Sequence, residues 1–313
     1  MNKFTLAIHG GAGTILKSNM TASLEASYRS GLNEALQTGY SVLAKGGTAV
    51  DSVIAAVTSL EDDIHFNAGR GSVFTKDGRH EMDASIMDGS NLAAGAVSAV
   101  SNVRNPVALA AEIMRKSNHI FLCGAGAETF AKKQGLRFEA DAYFFSSFRY
   151  EQLRAIQDSD AFALDHSVDP ALAREKKFGT VGAVACDMHG NIAAATSTGG
   201  MTNKQYGRIG DSPVIGAGTY ANNTTCAISC TGHGEIFMQA VAAYDVSCLM
   251  EYKGLSLEAA MNVVTNDKLV KLGGEGGMIG VDAKGNAALL FNCEGMYRGV
   301  KDNAGLEQIA IYR

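Results

Sequence analysis

The sequence predicts an α+β fold in which strands cluster in three places and helices lie between the clusters. Strand-like runs occur at the start of the chain, after residue 180 and near the end. Short polar turns at residues 187–191 and 282–285 join neighbouring strand-like runs, as in antiparallel hairpins. Strict alternation of strands and helices, which is typical of a parallel sheet, is missing. We therefore expect helices and hairpin-rich sheets in layers, with no internal repeat.

Composition indicates a globular chain with a sizeable core, since 46% of the 313 residues are hydrophobic and 19% are charged. The net charge of −5 provides no basic surface for nucleic acid. No run approaches the roughly 18 apolar residues that cross a membrane, and the first apolar run is too short for a signal peptide. The six cysteines show no metal-like or disulfide-like spacing. We expect a cytoplasmic protein with reduced thiols.

The first half of the chain is predicted from periodicity and from residues that begin or end helices. Apolar residues recur every three to four positions from residue 21, and Gly46-Gly47 ends that helix. Thr48 and Asp51 form a capping pattern for the next helix. The predicted order is a strand at 4–8, helices at 21–45 and 48–62, strands at 80–87 and 94–103, a helix at 105–117, a strand at 119–123, and helices at 125–133 and 144–157.

The second half begins with alternating, β-prone residues and ends with a strand pair. We expect strands at 180–186, 192–198 and 224–231, helices at 235–250 and 257–270, and strands at 278–281 and 286–291. Between the two halves, residues 158–175 are polar and show little periodicity.

Thr180 is the candidate nucleophile, because Gly179-Thr180 joins this irregular segment to a strand. If the bond broke, Thr180 would carry both a hydroxyl and a free amine whose pKa is about 7.7–8.0. Such an amine can take the proton of the neighbouring hydroxyl. Glycine tolerates the strained backbone that this cleavage requires. The simpler interpretation is that the tripeptide only begins a buried strand.

Three groups within about fifty residues of Thr180 could complete a site. Thr198 could orient the Thr180 hydroxyl, although hydroxyls also serve turns. Arg208 and Asp211 could hold the carboxylate and the ammonium of an α-amino acid, although surface ion pairs are common. Thr231 and Gly232 could stabilise an oxyanion.

Two other motifs suggest different chemistry and are less convincing. Gly216-Ala217-Gly218 begins a G-x-G-x-x-A pattern, but no helix follows it, as dinucleotide binding requires. The glycine-rich stretch after His9 could form half of an esterase oxyanion hole, but the chain has no G-x-S-x-G. We expect His9 to be structural rather than catalytic.

The sequence resembles the plant-type asparaginase, or isoaspartyl peptidase, family of N-terminal nucleophile hydrolases. The resemblance runs from residue 5 to about residue 298 and is carried by six motifs in order: His9-Gly10-Gly11-Ala12-Gly13, Phe66-Asn67-Ala68-Gly69, Gly179-Thr180-Val181-Gly182-Ala183-Val184, Thr196-Ser197-Thr198-Gly199-Gly200-Met201-Thr202-Asn203-Lys204, Gly207-Arg208-Ile209-Gly210-Asp211-Ser212-Pro213 and Thr231-Gly232-His233-Gly234-Glu235. It implies a single domain with a four-layer αββα sandwich. It also implies self-cleavage into an α subunit (1–179) and a β subunit (180–313), and assembly of two such pairs. The tail after Arg298 matches less well.

The resemblance also implies roles for individual residues. Thr180 is the nucleophile and Thr198 its partner, Arg208 and Asp211 bind the substrate, and Thr231 and Gly232 form the oxyanion hole. Gly232, Gly234 and Asn67 also belong to the substrate-binding set, with Gly234 lining the pocket and Asn67 near Thr180. No cofactor is required for catalysis. The family also holds a structural sodium ion on main-chain carbonyls, which here correspond to Leu60, Glu61, Phe66, Ala68 and Arg70.

The implied reaction is hydrolysis of L-asparagine and of β-aspartyl dipeptides through an acyl-enzyme. Glycosylasparaginase is the alternative enzyme, although the missing signal peptide counts against a secreted or lysosomal form. A non-catalytic protein that binds an amino acid between Arg208 and Asp211 is the alternative outside enzymes.

Overall fold

The computed structural model describes residues 3–157 and 177–313, and it describes the uncut chain, in which Gly179 and Thr180 are joined. The irregular segment predicted at residues 158–175 lies outside the described residues. The described strands are β1 (Thr5–Gly13), β2 (Met82–Asp88), β3 (Ala94–Val100), β4 (Phe121–Cys123), β5 (Lys177–Phe178), β6 (Val181–Cys186), β7 (Ile192–Thr198), β8 (Thr219–Ala221), β9 (Cys226–Gly232), β10 (Gly276–Asp282), β11 (Ala287–Phe291), β12 (Gly295–Asp302) and β13 (Glu307–Tyr312).

The helices occupy the connections between the strands. They are α1 (Ala22–Ala44), α2 (Ala49–Asp62), α3 (Pro106–Lys116), α4 (Gly124–Lys133), α5 (Asp141–Phe144), α6 (Ser147–Ile156), α7 (Gly234–Ala240), α8 (Ala242–Lys253), α9 (Leu257–Asn262) and α10 (Leu269–Lys271). A π-helical turn, Val263–Lys268, joins the last two, and single 3-10 turns lie at Lys17–Asn19 and Gly69–Gly71. No helix in these described parts of the chain combines the length and the apolar character needed to cross a bilayer.

The strands form two sheets. Among the described residues, the larger sheet has the order β13-β12-β1-β6-β7-β2-β3-β4, with β5 paired to the end of β1, and the smaller sheet has the order β11-β10-β9-β8. Neighbouring strands run antiparallel except β3 and β4, which are parallel. The hairpins predicted after residue 180 and before residue 291 are therefore present.

Three apolar clusters separate four layers. Leu36 and Val53 pack between the first helices and the larger sheet. Val184 and Ile279 pack between the two sheets, and Met261 packs between the smaller sheet and helices α8 and α9. Helices thus cover the outer face of each sheet, because each sheet must bury two apolar faces. The predicted αββα sandwich is confirmed.

Several predicted boundaries are wrong for local reasons. The first strand does not end before His9 but continues to Gly13. The helix predicted at 235–250 is broken at Val241, whose φ of 48° is left-handed. The prediction that no helix follows the G-x-G pattern is confirmed, because that stretch forms strand β8. The chain after Arg298 completes β12 and adds β13 at the edge of the larger sheet.

Candidate active site

The predicted site residues meet at a small cavity where the two sheets face each other. Thr180 directly precedes β6, Thr198 ends β7 and Gly232 ends β9, so adjacent strand ends bring them together. The cavity has a volume of about 20 Å³, which suffices for about one water molecule. Its walls are Gly179, Thr180, Thr198, Gly200, Met201, Arg208, Gly210, Asp211, Ser212 and Gly232. Since Gly179 forms one wall, its departure from Thr180 would widen the cavity.

The Thr180 hydroxyl is held by a second threonine. Its Oγ1 donates to Oγ1 of Thr198 over 3.1 Å. The same Thr198 oxygen accepts a hydrogen bond of 3.0 Å from the amide of Gly200. Both threonines are buried, so their hydroxyls are fixed in orientation and shielded from bulk water.

The bond between Gly179 and Thr180 lies in a β-bulge. His9 of β1 faces Gly182 of β6, whereas Ala12 of β1 faces Phe178 of β5. Residues 10 and 11 therefore lie opposite residues 179, 180 and 181, which leaves one residue of the second strand unpaired. The candidate cleavage bond is thus outside the regular ladder but fixed on both sides by the same neighbouring strand.

Arg208 forms an ion pair with Glu235, which was not among the predicted site residues. Its Nε and Nη2 donate to the two carboxylate oxygens of Glu235 over 2.9 and 2.8 Å, in a bidentate pair. Within the described residues Nη1 donates to no acceptor. A substrate carboxylate can therefore bind Arg208 through Nη1, or exchange with the half-exposed Glu235.

Asp211 lies buried beside Arg208, and one of its carboxyl oxygens is available to bind a cation. Its Oδ2 has no hydrogen-bond partner among the described residues. Burial raises the pKa of this carboxyl to about 7, and the Arg208 guanidinium opposes that rise. The group is therefore poised between its acid and its carboxylate near neutral pH, and an arriving ammonium would favour the carboxylate.

Gly234 allows these two head groups to approach each other. A Cβ atom at this position would lie 2.8 Å from Nη2 of Arg208 and 3.0 Å from Oδ1 of Asp211. Any larger residue would displace one of the two groups. Gly234 therefore shapes the site without contributing a side chain.

Thr231 and Gly232 offer the elements of an oxyanion hole. The Thr231 hydroxyl is fully buried and has no hydrogen-bond partner among the described residues. An unpaired buried hydroxyl costs about 1–3 kcal/mol, so binding of a negative oxygen that accepts a hydrogen bond from it would be favoured. A Cβ atom at Gly232 would collide with Phe237 and with the carbonyl of Glu275, so only glycine fits there.

Asn67 supports the site from behind and does not line the cavity. Its Nδ2 donates to the carbonyl of Gly200 over 2.7 Å, and its Oδ1 accepts from the amide of Val73 over 3.0 Å. Its own carbonyl accepts from Gly199. The structure thus places Asn67 where it fixes the turn that follows Thr198.

The loop expected to hold sodium turns back on itself after α2. The carbonyl oxygens of Leu60, Phe66 and Ala68 each accept one backbone hydrogen bond within the loop, from residues 63, 68 and 71. Each oxygen keeps a second lone pair. Arg70 lies inside the short 3-10 turn of the same loop.

Two glycines let the backbone of this loop approach its own carbonyl groups closely. The carbonyl of Glu61 crowds Gly69, whose φ is 51°, and the carbonyl of Phe66 crowds Gly71, so a Cβ atom at either glycine would collide with an oxygen. Main-chain oxygens are the ligands that a hard cation prefers, so the donor chemistry of the loop suits the expected sodium ion. The buried Arg149 already donates to the carbonyls of His65 and Gly71, each over 3.2 Å.

Sequence reasoning missed the polar groups that act behind the cavity. Glu235 ends the last of the six motifs, but no role was predicted for it. It lies 27 residues from Arg208, and no local pattern indicates that the two will pair. Glu61 is another case: it accepts from Ser197 over 2.6 Å from behind β7, and burial raises its carboxyl pKa to about 8. Side chains alternate in direction along a strand, so Ser197 points away from the side of Thr196 and Thr198. A hydroxyl on that opposite face was the only sequence signal for a polar partner there.

Comparisons with known proteins agree over the whole chain. A sequence model of the family described as Asparaginase matches residues 2–311. The isoaspartyl peptidase of Salmonella typhimurium is 52% identical over 313 residues, which cover 100% of both chains. The isoaspartyl peptidase of Escherichia coli is 51% identical, over 100% of this chain and 97% of the relative. A probable isoaspartyl peptidase/L-asparaginase 2 of Arabidopsis thaliana is 40% identical over 100% of both. With Thr180, its neighbours and the layered sandwich in place, this chain is a member of the asparaginase family.

Proposed function

We propose that this chain is an amidohydrolase that cleaves the β-carboxamide of L-asparagine and of β-aspartyl dipeptides through an acyl-enzyme on Thr180. The observation that carries the proposal is the hydrogen bond between the Thr180 and Thr198 hydroxyls, in a cavity also lined by Arg208 and Asp211. The names of the relatives, isoaspartyl peptidase and L-asparaginase, point to the same substrates.

The chain first cleaves itself between Gly179 and Thr180, into residues 1–179 and 180–313. The bulge at this bond supports the step, because an irregular backbone is easier to bring into the geometry of attack than a regular ladder. Cleavage supplies the free amine of Thr180 and removes the wall that Gly179 forms.

In the mature enzyme, Arg208 binds the substrate α-carboxylate and Asp211 binds the α-ammonium. The Thr180 amine takes the proton of its own hydroxyl as Oγ1 attacks the β-carbonyl carbon. The Thr231 hydroxyl and the Gly232 amide donate to the oxyanion. The amine then returns the proton to the leaving nitrogen, which departs as ammonia or as the amine of the released amino acid. Water attacks the ester and frees L-aspartate.

The sodium ion, the assembly and the location are further parts of the proposal. Main-chain oxygens of Leu60, Glu61, Phe66, Ala68 and Arg70 would hold the ion, which would stiffen the loop that carries Asn67. Replacing sodium by a bulky organic cation should then lower the melting temperature.

We also propose a dimer of cleaved pairs, testable by light scattering, and a cytoplasmic location, testable by cell fractionation.

The function is tested by comparing kcat/KM for β-aspartyl-leucine, L-asparagine and a glycosylated asparagine on cleaved protein. We expect the dipeptide to react at least as fast as asparagine, because its second residue adds contacts remote from the scissile bond. The glycosylated substrate should react poorly. Fastest turnover of the glycosylated substrate would favour glycosylasparaginase, and binding of aspartate without any turnover would favour a binding protein.

A further inference from the structure

His9 lies directly behind the candidate nucleophile. Its Nδ1 is 3.0 Å from the main-chain carbonyl oxygen of Thr180, and its side chain is fully buried. A carbonyl only accepts, so Nδ1 must carry the hydrogen. The sequence suggested only a structural role for this residue, and the proposed mechanism does not use it.

A chain of buried hydroxyls leads away from the other ring nitrogen. Nε2 of His9 contacts Ser229 Oγ at 2.9 Å, which contacts Thr196 Oγ1 at 2.7 Å. The Thr219 hydroxyl donates a hydrogen bond to Oγ1 of Thr196. The Ser85 hydroxyl lies 2.7 Å from Oγ1 of Thr219 and 2.6 Å from the carbonyl oxygen of Ser212. The chain crosses the interface of the two sheets and ends next to Asp211.

The hydrogen-bond partners assign the charge and the tautomer of His9. Burial lowers the pKa of this imidazole to about 3, so the ring is neutral near pH 7. With the hydrogen on Nδ1, Nε2 accepts from Ser229, and Thr196 and Thr219 can each donate toward His9 in turn. Ser85, at the far end, then has two acceptors for one hydrogen. Thr196 also lies 3.3 Å from the carbonyl of Gly218, a longer contact than its 2.7 Å to Ser229. With Thr196 donating along the shorter contact, the hydroxyls hold His9 in one tautomer.

Gly182 provides the space for this arrangement. A Cβ atom there would collide with Ser229 Oγ and would lie 2.5 Å from Nε2 of His9. The glycine faces His9 across the ladder between β1 and β6. The polar chain is thus accommodated by the backbone within an otherwise apolar interface.

We propose that His9 is a positioning residue, whose Nδ1–H fixes the main chain of Thr180 and whose tautomer is set by the hydroxyl chain that begins at Ser229. The inference rests on the proposed role of Thr180 as nucleophile. We therefore expect the orientation of the Thr180 hydroxyl to depend on one hydrogen-bond donor at the position of Nδ1. His9 touches no substrate group, so its loss should change kcat more than KM.

Two nearly isosteric variants separate the two ring nitrogens. Asparagine can place its amide nitrogen near the position of Nδ1, and glutamine near that of Nε2. We expect His9→Gln to slow self-cleavage, to lower kcat by about tenfold, or to do both, because glutamine has no donor at the position of Nδ1. A tenfold effect corresponds to the loss of about one hydrogen bond. His9→Asn should retain most of both. Equal behaviour of the two variants, or parental rates in His9→Gln, would overturn the proposal.

A matched pair of serine variants tests the hydroxyl chain. Ser229→Ala removes the donor to Nε2, while Ser247→Ala removes a buried hydroxyl contact of 2.7 Å with Thr225, far from the site. Both should lose similar stability on thermal unfolding. Only Ser229→Ala should lower kcat on Thr180-ended protein, and an equal kcat in both would contradict the role of the chain.

Nitrogen NMR of histidine-labelled protein provides a test without activity. In uncut Thr180→Ala protein, His9 should show a hydrogen on Nδ1 and a bare Nε2 across pH 5 to 8, and Ser229→Ala in that background should shift Nε2. A hydrogen on Nε2, or a charged ring, would overturn the inference. If the parent instead has the expected tautomer but hydrolyses none of the substrates, the proposed function fails and the positional assignment stands.

Discussion

Single residues at the site stay incompletely paired until a substrate arrives. The Thr231 hydroxyl and Oδ2 of Asp211 have no hydrogen-bond partner among the described residues. Each unpaired group destabilises the folded chain by about 1–3 kcal/mol, and a bound aspartyl group can satisfy both. Such residues illustrate how a binding site can reduce stability in exchange for affinity.

Arg208→Lys keeps the positive charge but removes the planar fork that pairs with carboxylates. We expect kcat/KM for asparagine to fall about 10- to 100-fold, the equivalent of a lost charge-assisted bond. Self-cleavage should be unchanged, because that step needs no substrate. Arg104→Lys is the matched control, since Arg104 makes a similar bidentate pair with Asp62 away from the site. Parental kcat/KM in Arg208→Lys would refute the assignment.

Asp211 makes binding of aspartate dependent on pH. Its carboxyl is mostly protonated below its raised pKa of about 7, and a bound ammonium requires the carboxylate. Binding L-aspartate to cleaved protein should therefore release close to one proton near pH 6 and almost none above pH 8. Calorimetry in buffers of different ionisation enthalpy measures this number. Asp211→Asn should abolish the release, and an unchanged release in that variant would exclude Asp211 as its source.

At the scale of elements, the break between α7 and α8 shows how a strained residue shapes the surface beside the site. Val241 has a φ of 48°, in a region that β-branched residues avoid. The amide of Tyr244, three residues on, donates to Gly216 over 2.8 Å. The break lets α7 start at the end of β9 while α8 turns to cover the smaller sheet.

Val241→Gly should stabilise the protein by about 1 kcal/mol, because glycine adopts this conformation without steric cost. Val270→Gly is the control: Val270 is similarly exposed but lies in an ordinary helical turn. That change should destabilise by about 0.5 kcal/mol. Urea unfolding of both variants provides the measurement. Destabilisation by Val241→Gly would mean that its side-chain contacts outweigh the strain.

At the scale of the whole molecule, the two products of the proposed cleavage share one sheet. From one edge, β13 and β12 belong to residues 180–313, β1 to 1–179, β6 and β7 again to 180–313, and β2, β3 and β4 to 1–179. Strand β1 therefore lies between two strands of the other product, and the β6–β7 pair lies between β1 and β2. Separating them would break three ladders and expose the core.

We accordingly predict that the cleaved products elute as one species on size-exclusion chromatography and separate only in denaturant. They should also unfold together in one calorimetric transition, since two of the three apolar clusters are built from residues of both products. A separate, folded fragment 1–179 in native buffer would contradict this view of the sheet.

Local signals in the sequence predicted much of this architecture. The spacing of Thr48 and Asp51 predicted the N-cap of α2. In the structure the Thr48 side chain accepts a hydrogen bond of 3.1 Å from the amide of Asp51, as that pattern indicates. The hairpin of β6 and β7 follows from alternation around a polar turn. Thr180 was recognisable because Gly179-Thr180 joins an irregular segment to a strand, and Thr198 because it lies in a hydroxyl-rich stretch at the end of the next strand.

Other features depend on contacts between distant residues and could not be predicted. The pairing of Arg208 with Glu235, and the bond from His9 to Thr180, arise only when strands from different parts of the chain meet. The break at Val241 opposes the ordinary preference of valine, so no propensity argument finds it. The strand β13 lies in a tail whose residues are partly exposed and show weak alternation.

The proposed self-cleavage is tested most directly by the N-terminal sequence of the smaller fragment after purification and denaturing electrophoresis. We expect a fragment that begins Thr180-Val181-Gly182, no cleavage in Thr180→Ala, and partial cleavage in Thr180→Ser, which keeps a hydroxyl. A parent chain that remains at 32.8 kDa, or a Thr180→Ala chain cut at the same bond, would contradict the assignment of Thr180 as the nucleophile.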